Sequence, residues 1–429
     1  MTKSIEDLVE DYSTKPVPGH LTTNGFHIAL INAGLVLSLL SMFTGVLFGL
    51  AIGVRNTIYV TMISSVFLVV VGTIAGIAGS KVRLSSYMLM KFSFGMKGAI
   101  VINFILAISL LGWFGVTLDL LGDGAQGLAQ QVFNVALPKW VYMIAGGAVM
   151  TITAIFGFKG LDTIASWLTP IMALTLAMII YKVFQVTTWS ELMAFEPSGE
   201  LTVGVAISAA IGSLISMMIA MPDFTRYAKT PFDSFIATSV PLLIAQPFVY
   251  VGAAMAAIAY QNDDILLIML ESGLGLFAFL LVIASSWISN TINLYSCSLG
   301  LSSILLNVKK WKLEVVSGVV GTLLAIAGIM DHFITFLELM SFVFIPAGSI
   351  YLSDYYIVKK QKYDFEKISD GSPVSIPAII ALLIGITAYY FSAKGFFSMT
   401  SLSSIDSLIV TSATYLLLKY VGNRFQAQE

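Results

Sequence analysis

The chain has 429 residues, of which 57% are hydrophobic and 11% are charged, with a formal net charge of −2 and a mean hydropathy of +0.90. An average soluble domain carries about 25% charged residues, so this composition excludes a soluble enzyme and an intrinsically disordered chain. The lack of a basic excess excludes a nucleic-acid binder, and the single cysteine, Cys297, excludes disulfide frameworks and cysteine-cluster metal sites. A membrane protein with several spans remains.

Twelve stretches are long and apolar enough to cross a bilayer, which takes about 20 residues in a helix. They are 26–52, 57–79, 98–121, 140–158, 162–185, 201–222, 234–259, 268–303, 314–330, 333–353, 374–393 and 402–420. Strands of a membrane β-barrel alternate apolar and polar residues, whereas 66–79 is apolar on all sides. The sequence therefore predicts an all-α integral membrane protein with twelve transmembrane helices.

The placement of lysine and arginine predicts the orientation. With the N-terminus inside, 18 of the 22 Lys and Arg residues fall on the cytoplasmic side and 4 outside. We therefore expect a multi-pass protein of the inner (plasma) membrane with both termini in the cytoplasm. Residues 1–25 are expected to form a polar cytoplasmic tail without a cleavable signal peptide, and 421–429 a second cytoplasmic tail.

Spans 1 and 6 are both interrupted by glycine and small polar residues near their middles. In span 1 these are Asn32, Gly34, Ser38, Ser41, Thr44 and Gly45, and in span 6 they are Gly204, Ser208, Gly212, Ser213, Ser216 and Pro222. Because the two spans are five apart, the pattern favours an inverted repeat whose broken helices unwind at the midplane, where freed carbonyls face a cation and helix ends face a solute. Ordinary packing of small residues between helices explains the same pattern equally well.

Span 8 is the most polar of the twelve. The residues that make it so lie in its middle and are Ser285, Ser286, Trp287, Ser289, Asn290, Thr291, Asn293, Tyr295, Ser296 and Ser298. Ser285 and Ser289 share one helix face and are candidate oxygen ligands for a small cation. Asn290 and Asn293 offer both donor and acceptor groups, which suits the amide edge of a heterocycle. The alternative is that these side chains only form hydrogen bonds between helices.

Trp113 in span 3 is a candidate stacking residue. It lies between Gly112 and Gly115, about fifteen residues into its span, which is too deep for the cytoplasmic belt of interfacial aromatics. The glycines leave room for a flat ligand on the indole face.

Acidic residues inside spans are costly, so each is a candidate for function. Asp119 and Glu338 are candidate gates or proton carriers, and the alternative for each is a wetted or structural carboxylate. Asp406 lies near the end of its span, where we expect it to be solvated. Asp223 and Arg226, at the inner end of span 6, are interpreted as packing or gate charges rather than ligands of a solute.

These motifs occur together in one known family. The matching segments are Ser41–Gly45, Phe92–Gly98, Gly112–Val116, Gly212–Ser216 with Asp223 and Phe224, Trp287–Asn290 with Leu294, Tyr295, Leu299 and Gly300, and Ile345 and Pro346 with Asp354 and Tyr355. In order and spacing the chain resembles the nucleobase–cation symporter-1 family, and most closely its bacterial cytosine permease branch. The match covers spans 1 to 10.

The resemblance implies a LeuT-like fold with a five-plus-five inverted repeat and alternating access. Helices 1–5 in 26–185 would form the first repeat and helices 6–10 in 201–353 the second. Two extra C-terminal helices would occupy 374–420.

The resemblance also implies a substrate site between spans 1, 3, 6 and 8. The ligand would stack on Trp113, contact Ser213 and Ser216, and meet Asn290. Leu214 stands where a second stacking aromatic is expected, and Leu110 stands where a substrate-facing glutamine is expected.

A sodium ion would lie between spans 1 and 8. The resemblance implies carbonyl ligands at Gly34 and Ser38 and side-chain ligands at Ser285 and Ser289. Ile288 stands where cytosine permeases have a third side-chain ligand, a hydroxyl, and this favours weighing protons beside sodium as the coupling ion.

We therefore expect a secondary active transporter that imports a nucleobase or related planar heterocycle with Na+ or H+ and uses no other cofactor. Its expected partners are the heterocycle and the lipid bilayer, with no nucleic acid and no oligomeric state predicted. An alternative on the same fold is a carrier of another small solute, such as a vitamin precursor, an allantoin- or hydantoin-like compound, an amino acid or an amine. An intramembrane enzyme is disfavoured because the three histidines show no ligand or catalytic spacing.

Overall fold

The computed structural model describes residues 12–329, 333–369, 371–400 and 402–426, and of these the side chains of 333–342 and 423–426 are not described. This part of the chain folds into 17 α-helices. In chain order they are α1 (Gly25–Val36), α2 (Leu39–Val82), α3 (Ser86–Phe94), α4 (Gly98–Phe133), α5 (Lys139–Ile155), α6 (Gly157–Val186), α7 (Trp189–Ala194), α8 (Val203–Ile219), α9 (Pro222–Thr225), α10 (Pro231–Val240), α11 (Gln246–Tyr260), α12 (Ile265–Glu271), α13 (Gly275–Ile304), α14 (Lys310–Ile326), α15 (Phe333–Ser353), α16 (Ile376–Ala393) and α17 (Ser403–Gln426).

Among the described residues, seven helical stretches are long and apolar enough to cross a membrane. Three shorter apolar stretches, Gly25–Val36, Lys139–Ile155 and Val343–Val358, accompany them. The longest helix, α2, has 44 residues, about twice what one crossing needs. It is divided at Gly53, whose φ of 78° interrupts the helix, so the stretches expected as spans 1 and 2 meet inside α2.

The first expected span is broken between α1 and α2. Leu37 closes α1 by donating its N–H to the carbonyls of Ala33 and Leu35, and Ser38 opens α2 with its hydroxyl accepting from the N–H of Ser41. A serine at this position satisfies a donor that the new helix would otherwise leave free. The break therefore has its own local hydrogen bonds and lies where the polar residues of span 1 predicted it.

The break in the sixth span lies later than predicted. We expected it near the middle of 201–222, but α8 is regular through Ile219 and ends at Ala220, and α9 starts at Pro222. The Ser213 hydroxyl donates to the carbonyl of Ala210, a bond that a continuous helix accommodates. Because proline lacks an N–H, the helix is interrupted at the proline and not at the glycine.

The helices form two groups with α6 between them. In one group α2 packs against both α8 and α11, and α1 packs against α10. In the other group α4 packs against α13, and α14 packs against α4 and α5. Helix α6 contacts α1, α11 and α13, while α16 and α17 pack on each other and on α15. The face between the two groups is where the broken helices meet α4 and α13.

Asp406 is not solvated, contrary to the prediction from its position. The residue is fully buried at the start of α17. Its carboxylate accepts hydrogen bonds from the hydroxyls of Ser392 and Thr400 and from the N–H groups of Met399 and Thr400. The prediction considered only its distance from the span end, whereas Ser392, Met399 and Thr400 surround the carboxylate in place of water.

Glycine sets the spacing of α2 and α11. A β-carbon on Gly45 would lie 2.6 Å from the carbonyl oxygen of Tyr250, and one on Gly49 would lie 2.6 Å from the α-carbon of Ala254. Both neighbours are backbone atoms that cannot turn away. The pair has the spacing that lets membrane helices approach closely.

We expect Gly49→Ala to lower the apparent melting temperature of the purified protein, because overpacking of this kind costs about 1–3 kcal/mol. Gly127→Ala is the matched control, since no atom lies within 4 Å of the added carbon there. The measurement is thermal unfolding in detergent. An equal melting temperature for the two variants would contradict the close approach of α2 and α11.

Candidate functional site

A cavity of about 130 Å³ lies where the broken first span meets α4, α8 and α13. Its wall residues are Leu35, Ser38, Leu39, Leu40, Ser41, Thr44, Leu110, Trp113, Val116, Thr117, Leu120, Ser213, Leu214, Ser216, Met217, Ala220, Phe224, Tyr250, Ser285, Ser286, Ser289, Ile292, Asn293, Ser296 and Phe344. Two of these, Leu35 and Ser38, stand on either side of the first break, and Ala220 stands in the second.

Trp113 lies on the wall contributed by α4, together with Leu110, Val116 and Thr117. The Thr117 hydroxyl donates to the carbonyl of Trp113 at 2.8 Å, so it is held within its own helix. The neighbouring aliphatic side chains make this side of the cavity apolar. An indole among aliphatic groups is a surface that favours a flat ring.

The wall from α8 carries hydroxyls. Ser213, Leu214 and Ser216, all predicted from the resemblance, line the cavity. The Ser213 oxygen lies 3.3 Å from the hydroxyl of the buried Tyr250, a residue of α11 that the sequence reasoning missed. Leu214 adds aliphatic surface where the resemblance led us to expect an aromatic ring.

On the wall formed by α13, only one of the two asparagines lines the cavity. Asn293 lines the cavity with Ser285 and Ser289, whereas Asn290 does not. The Asn290 amide instead lies 3.5 Å from the sulfur of Met150, and its oxygen lies 3.5 Å from the Asn293 amide nitrogen. Both asparagines were predicted to contact a ligand, and only Asn293 has the position for it.

The four candidate cation ligands do not form one group. Ser38, Ser285 and Ser289 line the cavity, whereas Gly34 lies outside its wall. The Ser289 hydroxyl is buried and has no hydrogen-bond partner among the described residues. It is therefore an available polar atom on the cavity side of α13.

Of the two candidate acids, the structure describes the side chain of Asp119 only. Asp119 is absent from the cavity wall and forms an ion pair with Lys139 at the start of α5, which also pairs with Asp123 at 2.7 Å. This arrangement is a structural ion pair between α4 and α5. The side chain of Glu338 lies outside the described part of the chain.

The cavity wall carries no Asp, Glu, Lys, Arg or His among the residues whose side chains are described. Its polar groups are hydroxyls and one asparagine amide, set among leucines and aromatic rings. Among the described residues the wall therefore offers a solute hydrogen-bonding groups and apolar surface but no charged partner.

Buried charges lie directly beyond one end of the cavity. Phe224 and Ser296 line that end, and Phe224 packs against Tyr295 with ring centroids 6.0 Å apart. Tyr295 accepts a hydrogen bond from the fully buried Arg226 at 2.7 Å, and Arg226 also donates to the carbonyl of Tyr12 at 2.9 Å. The guanidinium thereby joins α13 to the segment that precedes α1.

Two further carboxylates are fixed around this end. Asp223 accepts from the N–H of Ser86 at 2.9 Å and from its hydroxyl at 2.7 Å. Glu314 pairs with Lys310 and accepts from the Ser298 hydroxyl at 3.1 Å. The pair at 310 and 314 was missed from the sequence, although its spacing of four residues on a helix was a usable signal.

Residues 26–412 match the family model described as a permease for cytosine/purines, uracil, thiamine and allantoin. Cytosine permease of Escherichia coli K12 is 24% identical over 415 residues, covering 96% of this chain and 95% of the relative. Hydantoin permease of Microbacterium maritypicum is 25% identical over 304 residues, covering 63% of this chain and 60% of the relative.

Two solved structures share the fold. Mhp1, a nucleobase-cation-symport-1 family transporter in a closed conformation with bromovinylhydantoin bound, superposes with a TM-score of 0.80 at 16% identity, covering 97% of this chain and 96% of that one. A Na+-coupled sialic acid symporter in a substrate-bound outward-open state superposes with a TM-score of 0.72 at 14% identity, covering 97% and 92%. At these identities the likeness shows the fold alone.

The different positions of the two asparagines can be tested without a ligand. In a Cys297→Ser background we expect a single cysteine at Asn293→Cys to react with methyl methanethiosulfonate, a small uncharged reagent, because residue 293 lines the cavity. A cysteine at Asn290→Cys should stay unmodified, since residue 290 is fully buried behind the wall. Mass spectrometry of the purified protein measures the modification. Equal reaction at both positions would contradict the cavity wall described here.

Proposed function

Because the chain belongs to the family of permeases for cytosine/purines, uracil, thiamine and allantoin, we propose that it imports an uncharged planar heterocycle of the nucleobase type. The chain, like its relatives, is a membrane transporter and not an enzyme. The observation that carries the proposed substrate class is the cavity wall, where an indole stands near serine hydroxyls and one asparagine and where no described side chain is charged.

In this proposal the ring stacks on Trp113, and its polar edge meets the hydroxyls of Ser213 and Ser216 and the amide of Asn293. Leu214 contacts the ring as an aliphatic surface. Asn290 acts indirectly by holding the amide of Asn293. These assignments are supported by the position of each residue on or behind the wall.

We further propose alternating access in a twelve-helix topology, with both termini and the tails 1–25 and 421–429 in the cytoplasm of the inner membrane. The two repeats would be 26–185 and 201–353, followed by two helices in 374–420. The packing of α2 against α8 and α11, and of α4 against α13, supports this division, because each pair joins one repeat to the other. The neighbouring structures of this fold are transporters.

The buried charges at the cavity end formed by Phe224 and Ser296 act as the cytoplasmic closure in this proposal. Arg226 bonds both Tyr295 of α13 and the backbone of Tyr12, so opening toward the cytoplasm must separate these groups. Breaking such contacts is costly when the charges stay buried, and the opened state must therefore admit water to them.

We propose that uptake is driven by a cation gradient, either Na+ or H+. A Na+-coupled neighbour of the same fold supports cation coupling in general. Asp119 is engaged by Lys139 and is therefore a weaker candidate for a proton carrier than its position alone suggested. Glu338 stays a candidate from the sequence.

A carrier of a hydantoin- or allantoin-like compound is the second candidate, favoured by the similarity to a hydantoin permease. Such compounds are also uncharged rings with amide edges and suit the same wall. A vitamin precursor with these features would fit equally. An amine or an amino acid fits less well, because no described carboxylate lines the cavity to pair with an ammonium group.

The proposal is tested by uptake of radiolabelled cytosine, uracil, hypoxanthine and hydantoin into proteoliposomes. For the compound that is taken up, Trp113→Ala should reduce uptake by about tenfold to a hundredfold, because stacking on an aromatic contributes about 1–3 kcal/mol per base. Trp167→Ala is the matched control, since that indole is 73% exposed on the outer face of α6. Undiminished uptake by Trp113→Ala would remove the indole from the site.

The uncharged wall gives a second prediction. Uracil-6-carboxylate should compete for uptake at least about a hundredfold more weakly than uracil, because a carboxylate transferred into this cavity loses its hydration without gaining a charged partner. The measurement is inhibition of uptake of the labelled compound over a range of competitor concentrations. Equal inhibition by the neutral ring and its carboxylate would contradict an uncharged substrate.

A further inference from the structure

At the end of α1 the helical hydrogen bond to the carbonyl of Gly34 is missing, near the position where the resemblance implies a sodium ion. The N–H of Ser38 donates to the carbonyl of Leu35 at 3.3 Å, so it does not serve Gly34, four residues earlier. The carbonyl of Ser38 itself accepts from the N–H of Met42 at 3.1 Å and is therefore already engaged by α2. Of the two residues implied as backbone ligands, only Gly34 has a carbonyl that does not accept from the N–H four residues later.

The space against Gly34 is filled by other side chains. A β-carbon on Gly34 would lie 2.8 Å from Cδ1 and 3.0 Å from Cγ2 of Ile288, and 2.7 Å from the hydroxyl oxygen of Thr169. Ile288 is fully buried, and the Thr169 hydroxyl already donates to the carbonyl of Leu30 at 3.0 Å. The α-carbon of Gly34 therefore packs against two methyl groups of Ile288 and the Thr169 hydroxyl.

This environment does not fit a sodium ion. A hard cation is held by a shell of oxygen ligands, and a methyl group cannot replace the water that the ion gives up. At this place two isoleucine carbons occupy the contact with Gly34, where a hydroxyl side chain would supply an oxygen. The remaining candidate ligands, Ser38, Ser285 and Ser289, line the cavity, which Gly34 does not.

Ser289, on the cavity side of α13, is available to bind a solute. The Ser289 hydroxyl is buried, faces the cavity and has no hydrogen-bond partner among the described residues. Its neighbour one turn earlier, Ser285, donates to the carbonyl of Val282 at 3.3 Å and is already engaged. Ser289 thus offers the cavity one hydroxyl that no described protein group uses.

We infer that packing of Ile288 on Gly34 replaces the cation site of related transporters, so that transport does not depend on sodium and the Ser289 hydroxyl binds the substrate. The assignment of Ser289 rests on the proposed function, whereas the exclusion of sodium rests on the Ile288–Gly34 contact alone. Coupling to a cation gradient, in this protein, would then be coupling to protons.

The exclusion of sodium is tested on the full-length protein in two ways. In detergent, the apparent melting temperature should be the same in sodium chloride and in potassium chloride of equal concentration and pH. In proteoliposomes, replacing sodium by potassium should change the uptake of the transported compound by less than about twofold, far below the tenfold that each 1.4 kcal/mol of coupling would give. A larger sodium-specific loss of uptake, or stabilisation by sodium, would overturn the inference.

These two readouts separate the inference from the proposed function. If none of cytosine, uracil, hypoxanthine and hydantoin is taken up in either salt, the proposed function fails. The melting comparison still tests the exclusion of sodium in that case.

A pair of variants tests whether Ile288 is the cause. Ile288→Thr introduces a hydroxyl at the contact, and we expect sodium to raise its apparent melting temperature relative to potassium. Ile288→Val removes one methylene but stays apolar and should respond equally to both salts. If sodium has no specific effect on Ile288→Thr, the packing of Ile288 is not what excludes the ion, and this part of the inference is overturned.

The role of Ser289 has its own readout. Ser289→Ala should weaken binding of the transported compound by about tenfold, the cost of one hydrogen bond, while its melting temperature stays indifferent to sodium. Ser302→Ala is the matched control, because that hydroxyl is also buried without a described partner but lies outside the cavity wall. Unchanged affinity in Ser289→Ala would remove this hydroxyl from the substrate site.

Discussion

Inside a membrane every backbone N–H and C=O needs a partner within the protein, and this constraint shapes the two places where helices break. At the first break the N–H groups of Leu37 and Ser38 turn back to carbonyls of α1, and the Ser38 hydroxyl accepts from the first turn of α2. At the second break the carbonyl of Ile219 accepts from the hydroxyl of Tyr351 at 2.6 Å. The first break is thus stabilised by its own local groups and the second by a distant side chain, and residues of both breaks line the same cavity.

The two breaks are also joined to each other. The amide nitrogen of Asn32 donates to the carbonyl of Ala237 at 2.8 Å and lies 3.3 Å from the sulfur of Met221, which stands in the second break. A buried amide held in this way fixes α1 relative to α10, and it does so beside the residues that line the cavity. A shift of α1 therefore changes the second break as well, which provides a physical link between the two sides of a substrate site.

Hydropathy and residue type predicted much of this arrangement. The twelve stretches predicted helices, the polar residues around Ser38 predicted the first break, and the tryptophan between glycines predicted an indole on the cavity wall. The family resemblance is confirmed by the match over residues 26–412. These features are local, because they follow from which side chains a short segment carries.

The features that the sequence did not predict depend on contacts between distant segments. The carbonyl of Ile219 at the end of α8 accepts from Tyr351, which is 132 residues away in sequence, and the burial of Asp406 needs the residues that fold over it. The separation of Asn290 from Asn293 depends on the turn of α13 relative to α5, where Met150 receives one of them. Residue spacing on a helix shows which side chains share a face, but it does not show which face lines the cavity.

The hydroxyls line the cavity, whereas the buried charges lie outside it. The cavity wall is uncharged in the part of the chain whose side chains are described, whereas Arg226, Asp223 and the Lys310–Glu314 pair are buried just beyond Phe224 and Ser296. In low dielectric such charges hold their partners strongly and specify one arrangement, which suits a closure better than a substrate surface. Hydroxyls bind and release a neutral ring at modest cost, which suits a site that must empty on every cycle.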